Sequence, residues 1–419
     1  MGQVTFTAVA ASDIRNAEGQ TVAEAVNKRK LVTVRKIDEL NPIEGADAIE
    51  VATIEGWKVV VKKGEFKVGD PCVYFEIDSF LPAGNPAWQF LVDKSSREFE
   101  GVVGHRLRTI KLRGQISQGL VLPLSAVPQI TNTERTFDQS ELLGIKKWEA
   151  PLPAELAGQA EGLFPSFIQK TDQERCQNLK GEIFGFDDQK VELDITPEQA
   201  ADGIAAGRLT VEDGKVYSFV KAKASRDDRY EVTMKLDGSS MTAFIRKTET
   251  GEVERGVCSR NLQLKINDEN KDNTFVKMFN SGLSAALTMF YTTTGRSIAV
   301  QGELMGPGIQ GNRENFKEHK FFVFDIYDID AGRYLAPRER QEVFSQLKVA
   351  APSIEHVPVV AFEANLLDTL GIKDVDGLLK FAEGPSIVHQ IREGLVFKRL
   401  DGQFSFKAIS NLFLAKEKD

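Results

Sequence analysis

The chain has 419 residues, 42% of them hydrophobic and 27% charged, which is the composition of a globular protein with room for two or three domains. A net charge of −8 excludes a nucleic-acid surface that covers the whole molecule, so such a surface must be a local stripe. Three distant cysteines exclude a disulfide framework and no apolar run reaches the length of a membrane span, so we expect a cytoplasmic protein of a reducing compartment without membrane contact.

Residues 28–130 carry a pattern of short strands. Segments such as KLVTVRKIDEL (30–40) and WKVVVKKGE (57–65) alternate apolar and polar residues or run in β-branched ones, with Gly or Pro between them. Such strands predict an OB-type β-barrel, with residues 1–27 as an N-terminal extension. One segment, HRLRTIKLRG (105–114), is basic, and it either contacts the phosphates of a nucleic-acid duplex or forms an ordinary solvated strand face. Its basic side chains are Arg106, Arg108, Lys111 and Arg113.

Residues 131–159 lose the strand pattern and are rich in Pro and small residues, so we interpret them as a linker. Residues 160–419 predict antiparallel sheets flanked by helices, which makes the fold class α+β. An acidic insert at about 181–220 holds 3 Lys and Arg against 9 Asp and Glu, and TPEQAADGIAAGRL within it predicts a helix with Thr196 as N-cap. Other helices are predicted at TDQERCQNLKG (171–181), about 273–294, 337–348 and 374–383, and strands at 297–305 and 320–328.

The stretch EVTMKLDGSSMTAF (231–244) places a lysine and an aspartate on one side of a strand. At a period of two, Lys235 and Asp237 point away from the side of Val232 and Met234. Asp237-Gly238 then predicts a tight turn before a second strand. Taken alone, K-x-D-G is explained more simply as the end of an amphipathic strand followed by a turn. A catalytic interpretation therefore depends on other motifs.

Further motifs follow in order, and their segments are CSRNLQL (258–264), IAVQGELMG (298–306), FFVFDIYD (321–328), EGLVFKR (393–399) and FSFKAIS (404–410). With K-x-D-G they resemble, in order and spacing, the motifs of the covalent nucleotidyltransferase superfamily of ATP-dependent ligases and mRNA capping enzymes. The resemblance implies a nucleotidyltransferase domain of the ATP-grasp-like ligase type. It assigns catalysis to Lys235, Glu303, Glu393 and Lys407.

The chemistry of lysine agrees with this resemblance. An amine with a pKa near 10.4 is protonated at neutral pH, so Lys235 must lose its proton beside positive charge before it attacks the α-phosphorus of ATP. A divalent ion, Mg²⁺ or Mn²⁺, would supply that charge and needs oxygen ligands, partly through its waters. The candidate metal ligands are Asp237, Glu303 and Glu393.

Other side chains are candidates to hold the nucleotide. Phe324 matches the family's base-stacking position, on a strand face that we predict it shares with Phe322 and Ile326. Arg260 resembles an arginine that contacts ribose or phosphate, and Asn261 beside it is a weaker candidate for an RNA 2′-OH. Arg175, in an element that resembles K-T-D-x-x-R-x-Q-N, is a candidate for the β- and γ-phosphates, with a helix-surface salt bridge as the alternative.

The terminal hairpin can be examined by geometry. With Asp401-Gly402 as a two-residue loop, Lys398 pairs with Ser405 and Val396 pairs with Lys407. Lys398 and Lys407 then share one face, as two phosphate-binding lysines should. Glu393 has the opposite parity, so it must lie at the frayed start of the strand or beyond a bulge.

The domain order favours one branch of the superfamily. DNA ligases and capping enzymes carry an OB domain after the transferase, whereas here the barrel precedes it and 12 residues follow Lys407. This order resembles the fifth family of RNA ligases. It implies ATP-dependent sealing of RNA 3′-OH and 5′-phosphate ends at nicks, through a lysyl-AMP intermediate and an adenylylated RNA 5′ end, with RNA and no obligate protein as the partner. The alternatives are a DNA ligase, a capping-type guanylyltransferase and a non-catalytic nucleic-acid-binding protein with a dead transferase fold.

Overall fold

The computed structural model describes residues 29–148, 158–184, 189–193, 196–197, 209–212, 214–220 and 228–416. The chain divides into two compact units, Met1–Leu152 and Pro153–Asp419. Within the described ranges no helix is long and apolar enough to cross a membrane. The N-terminal extension and the helix predicted after Thr196 lie outside the described residues.

The first unit consists of short, mainly antiparallel strands and one described helix, in agreement with the predicted strand pattern. Strand β5 is buried on both faces, because Val73 and Phe75 enter one apolar cluster while Cys72 and Tyr74 enter another. The sheets have the orders β1-β5-β11, β2-β3-β4, β9-β10 and β12-β6-β8-β7. The elements are β1 (Val32–Lys36), β2 (Glu39–Pro42), β3 (Ile49–Ile54), β4 (Trp57–Lys62), β5 (Pro71–Phe75), β6 (Ser79–Pro82), α1 (Gln89–Lys94), β7 (Arg97–Phe99), β8 (Val102–Arg106), β9 (Thr109–Leu112), β10 (Gln115–Gln118), β11 (Leu120–Pro123) and β12 (Lys146–Lys147).

The basic segment 105–114 is not one strand. It is divided between β8 and β9, which belong to different sheets. The backbone of buried Leu107 bonds to Ser79 of β6, next to β8, and the chain leaves the β12-β6-β8-β7 sheet after this residue. Strands β9 and β10 form a hairpin whose two turn residues, Arg113 and Gly114, both have positive φ angles, 50° and 82°.

The predicted linker over 131–159 is wrong for residues 131–148. Leu143 and Ile145 are buried in the core of the first unit, and β12 pairs with β6. The backbone N–H of Gln139 also bonds to Val32. Short apolar anchors thus hold a segment that has no regular periodicity, which is why the sequence pattern did not reveal it.

The second unit contains two sheets that matter for the site. The large sheet has the order β13-β21-β20-β19-β22-β23-β24, with β25 parallel to β23, and the small sheet has the order β14-β28-β27-β18-β26. A third sheet, β15-β17-β16, occupies the acidic insert. The strands are β13 (Ala160–Leu163), β14 (Glu174–Arg175), β15 (Gln189–Leu193), β16 (Leu209–Glu212), β17 (Lys215–Val220), β18 (Tyr230–Lys235), β19 (Ser239–Lys247), β20 (Val253–Cys258), β21 (Leu262–Leu264), β22 (Ile298–Met305), β23 (Lys320–Asp328), β24 (Arg333–Tyr334), β25 (Ile354–His356), β26 (Val359–Ala364), β27 (Gly394–Arg399) and β28 (Ser405–Ile409).

Helices cover the outer faces of both sheets. Apolar residues of α3, α4 and α5 share a core with the large sheet, and α6 shares another with the small sheet. A smaller cluster, which includes Leu236, Met305 and Phe322, lies between the two sheets. The helices of this unit are α2 (Lys180–Phe184), α3 (Thr274–Met278), α4 (Ser284–Thr294), α5 (Pro337–Ala350), α6 (Val375–Ala382) and α7 (Asn411–Leu414).

Two helix predictions need correction. The helix expected over 273–294 is interrupted at Phe279–Leu283, where Gly282 has a φ of +127°. The helix expected from Thr171 does not form there, because Glu174–Arg175 pairs as a parallel strand with β28 and α2 begins only at Lys180. Helices α5 and α6 and strands β22 and β23 confirm the other predictions.

Candidate active site

A pocket lies between the large and small sheets of the second unit, at the K-x-D-G motif. Its floor is β18, and its walls come from β22, β23, β27 and β28. It collects, from segments far apart in sequence, most of the residues predicted for the nucleotide site. The lining residues are Thr171, Asp172, Gln173, Thr233, Met234, Lys235, Leu236, Ser240, Arg260, Glu303, Phe324, Val357, Val396, Lys398 and Lys407.

The K-x-D-G motif connects two sheets rather than two paired strands. Lys235 ends β18 and pairs with Gly394 of the small sheet, whereas β19 pairs with β20 and β22 of the large sheet. The tight turn expected at Asp237-Gly238 is therefore wrong, since the strands it would join are not neighbours. Buried Leu236 fixes the crossing.

Gly238 is required by close contact. A Cβ at this position would lie 2.6 Å from the carbonyl oxygen of Leu304 and 2.9 Å from the Cγ of Glu303. The backbone N–H of Gly238 donates to Glu303 Oε1 at 2.9 Å. A side chain here would displace the carboxylate that the backbone holds in place.

We expect Gly238→Ala to destabilise the fold by about 1–3 kcal/mol and to lower activity more than that loss explains, because Glu303 must move. Thermal unfolding and the rate of the covalent step would measure the two effects. Gly162→Ala is the matched control, because no atom lies within 4 Å of its added Cβ. Equal behaviour of the two variants would contradict the close-contact argument.

Three carboxylates surround the Lys235 ammonium. Its Nζ lies 2.7 Å from Glu393 Oε1, while Asp237 Oδ2 lies 3.3 Å from Arg313 Nη1. Glu393 directly precedes β27, which confirms the predicted position at the start of the strand. Ser240 opposite Glu303 sets the register of the large sheet here.

The pKa shifts show an excess of negative charge. Burial lowers the pKa of Lys235, but Glu393, Glu303 and Asp237 outweigh it and the net pKa is raised. Burial raises the pKa of Glu303 to about 7, with repulsion from Glu393 added and Lys235 opposing it. Burial and Glu393 likewise raise the pKa of Asp237 against the attraction of Arg313. Without a metal ion, the site therefore keeps Lys235 protonated and disfavours ionisation of Glu303 and Asp237. A divalent cation would reverse both effects.

The carboxylates do not form a ready-made metal cluster. Within the described part of the chain no group of three or more His, Cys, Asp or Glu side chains is placed to hold a metal ion together. Asp237 is directed at Arg313, Glu303 at Gly238 and Glu393 at Lys235. The oxygen donors and their unfavourable mutual charge nevertheless fit a hard cation that keeps some of its waters.

A β-bulge sets the position of Phe324. Gln301 pairs with Asp325 and Gly302 with Val323, so Phe324 has no partner on β22. The ring is half-buried and lines the pocket. The prediction that Ile326 shares this face is wrong, because the bulge changes the parity and Ile326 enters the helix-covered core instead.

The terminal hairpin has the predicted register. Lys398 pairs with Ser405 and Val396 with Lys407, so both lysines face the pocket. Lys398 Nζ donates to the Phe324 carbonyl and to Asp325 Oδ1, each at 2.6 Å. Lys407 Nζ donates to Asp172 Oδ1 at 3.0 Å. Burial lowers the pKa of Lys398.

The remaining candidates divide into those near and those away from the pocket. Arg260 is exposed and lines it, whereas Asn261 does not and accepts a bond from Lys170 at 3.0 Å. Arg175 is buried and paired in register with Lys407, so the alternative of a helix-surface salt bridge is wrong.

The four basic candidates of the first unit differ in exposure. Arg106 forms an ion pair with Asp78 at 2.9 Å. Arg108, Lys111 and Arg113 are exposed, the last in the hairpin turn.

Sequence reasoning missed two charged residues beside the site. Asp325, which binds Lys398, was present in the FFVFDIYD segment but was given no role. Arg313 lies in the β22–β23 loop, where no motif indicated it, and its guanidinium also stacks on Phe413 at 4.5 Å.

Comparison with known proteins identifies the family. An OB-fold domain model matches residues 31–124, and an RNA ligase model matches residues 228–409. A solved structure of a lysine-to-alanine mutant of the Naegleria gruberi RNA ligase with ATP and Mn is 40% identical, with a TM-score of 0.72, over 93% of this chain and 99% of that one. The chain belongs to the RNA ligase family.

Two other structures of the N. gruberi RNA ligase are similar to this RNA ligase. A glutamate-to-alanine mutant with AMP and Mn is 40% identical, with a TM-score of 0.72 and coverage of 93% of this chain and 99% of that one. A form with PPi is 41% identical, with a TM-score of 0.70 and coverage of 92% and 98%. No curated protein sequence gives a significant match. This RNA ligase is thus an enzyme with an OB-fold domain before the ligase domain.

Proposed function

We propose that this RNA ligase uses ATP and that Lys235 carries AMP as the covalent intermediate. The observation that carries the proposal is the position of Lys235 on the pocket floor, 2.7 Å from Glu393 and between acidic residues of both sheets. The structures of the N. gruberi relative with ATP and Mn and with AMP and Mn support the choice of nucleotide and metal.

The residues divide the reaction between them. The Lys235 amine, once deprotonated, attacks the α-phosphorus of ATP, and pyrophosphate leaves. AMP then passes to the 5′-phosphate of RNA, and an RNA 3′-OH displaces AMP to form the phosphodiester. Glu393 is the group placed to orient the Lys235 amine. Mg²⁺ or Mn²⁺ would be held by Asp237, Glu303 and Glu393 and would supply charge neutralisation for the phosphates.

The nucleotide lies between the sheets in this proposal. Phe324 stacks on the base, and Lys407 and Arg260 contact phosphate or ribose. Arg175, adjacent to Lys407 across the β14–β28 pairing, acts on the β- and γ-phosphates. Lys398, predicted as the second phosphate-binding lysine, instead donates to the Phe324 carbonyl and to Asp325, so we assign it to the base end of the pocket.

Within the family we assign the chain to the fifth RNA ligase family. The OB-fold match before the ligase match and the K-T-D-x-x-R element beside the pocket support this assignment. In this proposal the OB-type domain predicted over residues 28–130 is extended by the packed segment 131–148, and residues 160–419 form the transferase domain with the acidic insert at about 181–220. Its substrate is RNA, at a nick in a duplex, with no obligate protein partner; Asn261 is the candidate contact to a 2′-OH.

The exposed β9–β10 hairpin is the candidate duplex contact in the first unit. We expect a Lys111→Ala/Arg113→Ala variant to weaken binding to nicked RNA several-fold and to reduce the salt dependence by about two charges, because two phosphate contacts are lost. Fluorescence anisotropy over a salt series measures both. Lys62→Ala/Lys63→Ala, an equal change of charge on an exposed pair of the same unit, is the control. An unchanged salt slope in the hairpin variant would refute the contact.

Nucleotide transfer tests the function directly. After incubation with ATP and Mg²⁺, mass spectrometry should find the mass of AMP on the peptide that contains Lys235, and GTP should give no adduct. Nicks with an RNA 3′-OH should be sealed in preference to those with a DNA 3′-OH. A GTP-only adduct would indicate a guanylyltransferase, and equal sealing of DNA nicks would indicate a DNA ligase.

A further inference from the structure

A buried ion pair lies behind the nucleotide pocket. Arg340 of α5 binds Glu231 of β18, and both side chains are fully inaccessible to solvent. Gln341 Nε2 donates to the other Glu231 oxygen at 2.8 Å. Neither charged residue lines the pocket or belongs to a motif used above. A buried ion pair is weak evidence for stability, because its desolvation cost offsets the attraction, so another role has to be considered.

The pair is continuous with the pocket wall. Arg340 Nη1 lies 3.8 Å from Asp325 Oδ1, the same oxygen that accepts the 2.6 Å bond from Lys398. Lys398 also donates to the Phe324 carbonyl, so two of its three donors are committed. These bonds fix the strand segment that presents the Phe324 ring.

Glu231 is the carboxylate that competes with Asp325 for the Lys398 ammonium. The two residues are direct cross-strand partners on β18 and β27, on the same face of the small sheet. The four charged groups Glu231, Asp325, Arg340 and Lys398 balance. His356, which packs nearby, adds no charge at neutral pH, because burial and Arg340 lower its pKa to about 4. Without Arg340 the cluster would hold two anions and one cation, and Glu231 would be buried with only the neutral Gln341 amide as a partner.

We propose that Arg340 is a positioning residue for the nucleotide pocket: it neutralises Glu231 and so keeps the Lys398 ammonium on Asp325 and the Phe324 carbonyl. Without Arg340, the Lys398 ammonium turns toward Glu231, and the strand segment that presents the Phe324 ring loses its hydrogen bond from Lys398. The pocket then binds nucleotide less well, while Lys235 and the acidic residues at the other end are unaffected. The inference rests on the proposed binding of ATP in this pocket.

The test uses the full chain with Lys235→Ala as background, so that ATP binds without turnover, and calorimetry gives its dissociation constant. We expect Arg340→Met to weaken ATP binding about tenfold, and Glu231→Met/Arg340→Met to restore it to within about threefold, because the competing anion is gone. In the Lys235 enzyme, Arg340→Met should raise the KM for ATP in adduct formation and change kcat little.

Arg296→Met is the control for loosening of α5. The Arg296 guanidinium ties this helix, through Glu339, to Asp328 of β23 in the large sheet; it is partly exposed and lies away from the pocket. Arg340 ties the same helix to Glu231 of β18 in the small sheet. We expect unchanged ATP binding in Arg296→Met, and a tenfold loss there would show that any loosening of α5 weakens the pocket.

The outcomes separate the possibilities. A folded Arg340→Met variant with unchanged ATP affinity, or a double variant as weak as the single one, would overturn the proposal. If Arg340→Met does not fold, Arg340→Lys replaces it: binding within threefold of the parent in both Arg340→Lys and the double variant supports charge neutralisation, and a tenfold loss in either overturns it. Absence of ATP binding in the parent protein would instead refute the proposed function.

Discussion

Replacement of Lys235 by alanine is expected to abolish formation of the AMP adduct and the sealing of nicked RNA with ATP. The side chain supplies the only amine on the pocket floor that faces Glu393 and Glu303 within the described residues, and a methyl group cannot form a phosphoramidate. Intact-protein mass spectrometry after incubation with ATP and Mg²⁺ measures the adduct, and gel electrophoresis of a labelled nicked RNA measures sealing.

Two controls keep this result interpretable. Lys247→Ala removes an exposed lysine at the far end of β19 and should leave adduct formation unchanged. The Lys235→Ala protein should still unfold cooperatively and bind ATP, because the Phe324 platform and Lys407 remain. A Lys235→Ala variant that still seals nicks with ATP would show that another residue is the nucleophile.

Glu303→Gln is expected to slow adduct formation by about 100-fold or more, because the site loses one of the oxygen charges that would hold the cation. In the unsubstituted enzyme the rate at limiting Mg²⁺ should fall as the pH drops below about 7, where the Glu303 carboxyl takes up a proton. The residual rate of Glu303→Gln should lack that inflection. Single-turnover rates across about pH 5.5–8.5 would test both expectations.

The raised pKa of Glu303 also affects the pH dependence of stability, in the direction opposite to its effect on the rate. Because the folded-state pKa of Glu303 is raised above its ordinary value of 4.5 to about 7, the folded protein binds more protons than the unfolded one in that window, so metal-free stability should fall as the pH rises through it. Glu303→Gln should reduce the fall, and Glu254→Gln, at a solvent-accessible site on β20, should not. Identical thermal-unfolding profiles for all three proteins would contradict the raised pKa.

Local rules predicted the parts of the site that depend on neighbouring residues. A two-residue loop at Asp401-Gly402 was enough to give the pairing of Lys398 with Ser405 and to place Glu393 ahead of the strand. The motif order was enough to bring Lys235, Glu303 and Lys407 into one pocket.

Distant pairing decided what the sequence could not show. The bulge at Phe324 comes from the register between β22 and β23, so strand parity alone placed Ile326 on the wrong face. The charged segment at Thr171 has helical spacing, but pairing with β28, more than 200 residues later in the chain, makes it extended at Arg175. Arg313, which pairs with Asp237, and Arg340, which pairs with Glu231 behind the pocket, come from a loop and a helix that carry no motif.

The backbone passes from the small sheet to the large sheet at Leu236–Gly238, and this crossing determines which sheet carries each group around an AMP bound to Lys235. Lys235 and Glu393 belong to hydrogen-bonded neighbours of the small sheet, whereas Glu303 belongs to the large one. An AMP bound to Lys235 would therefore be attached to the small sheet together with Glu393, whereas Glu303 would face it from the large sheet. The distance from the adduct to Glu393 would then depend on one sheet alone, and its distance to Glu303 on how the two sheets pack against each other.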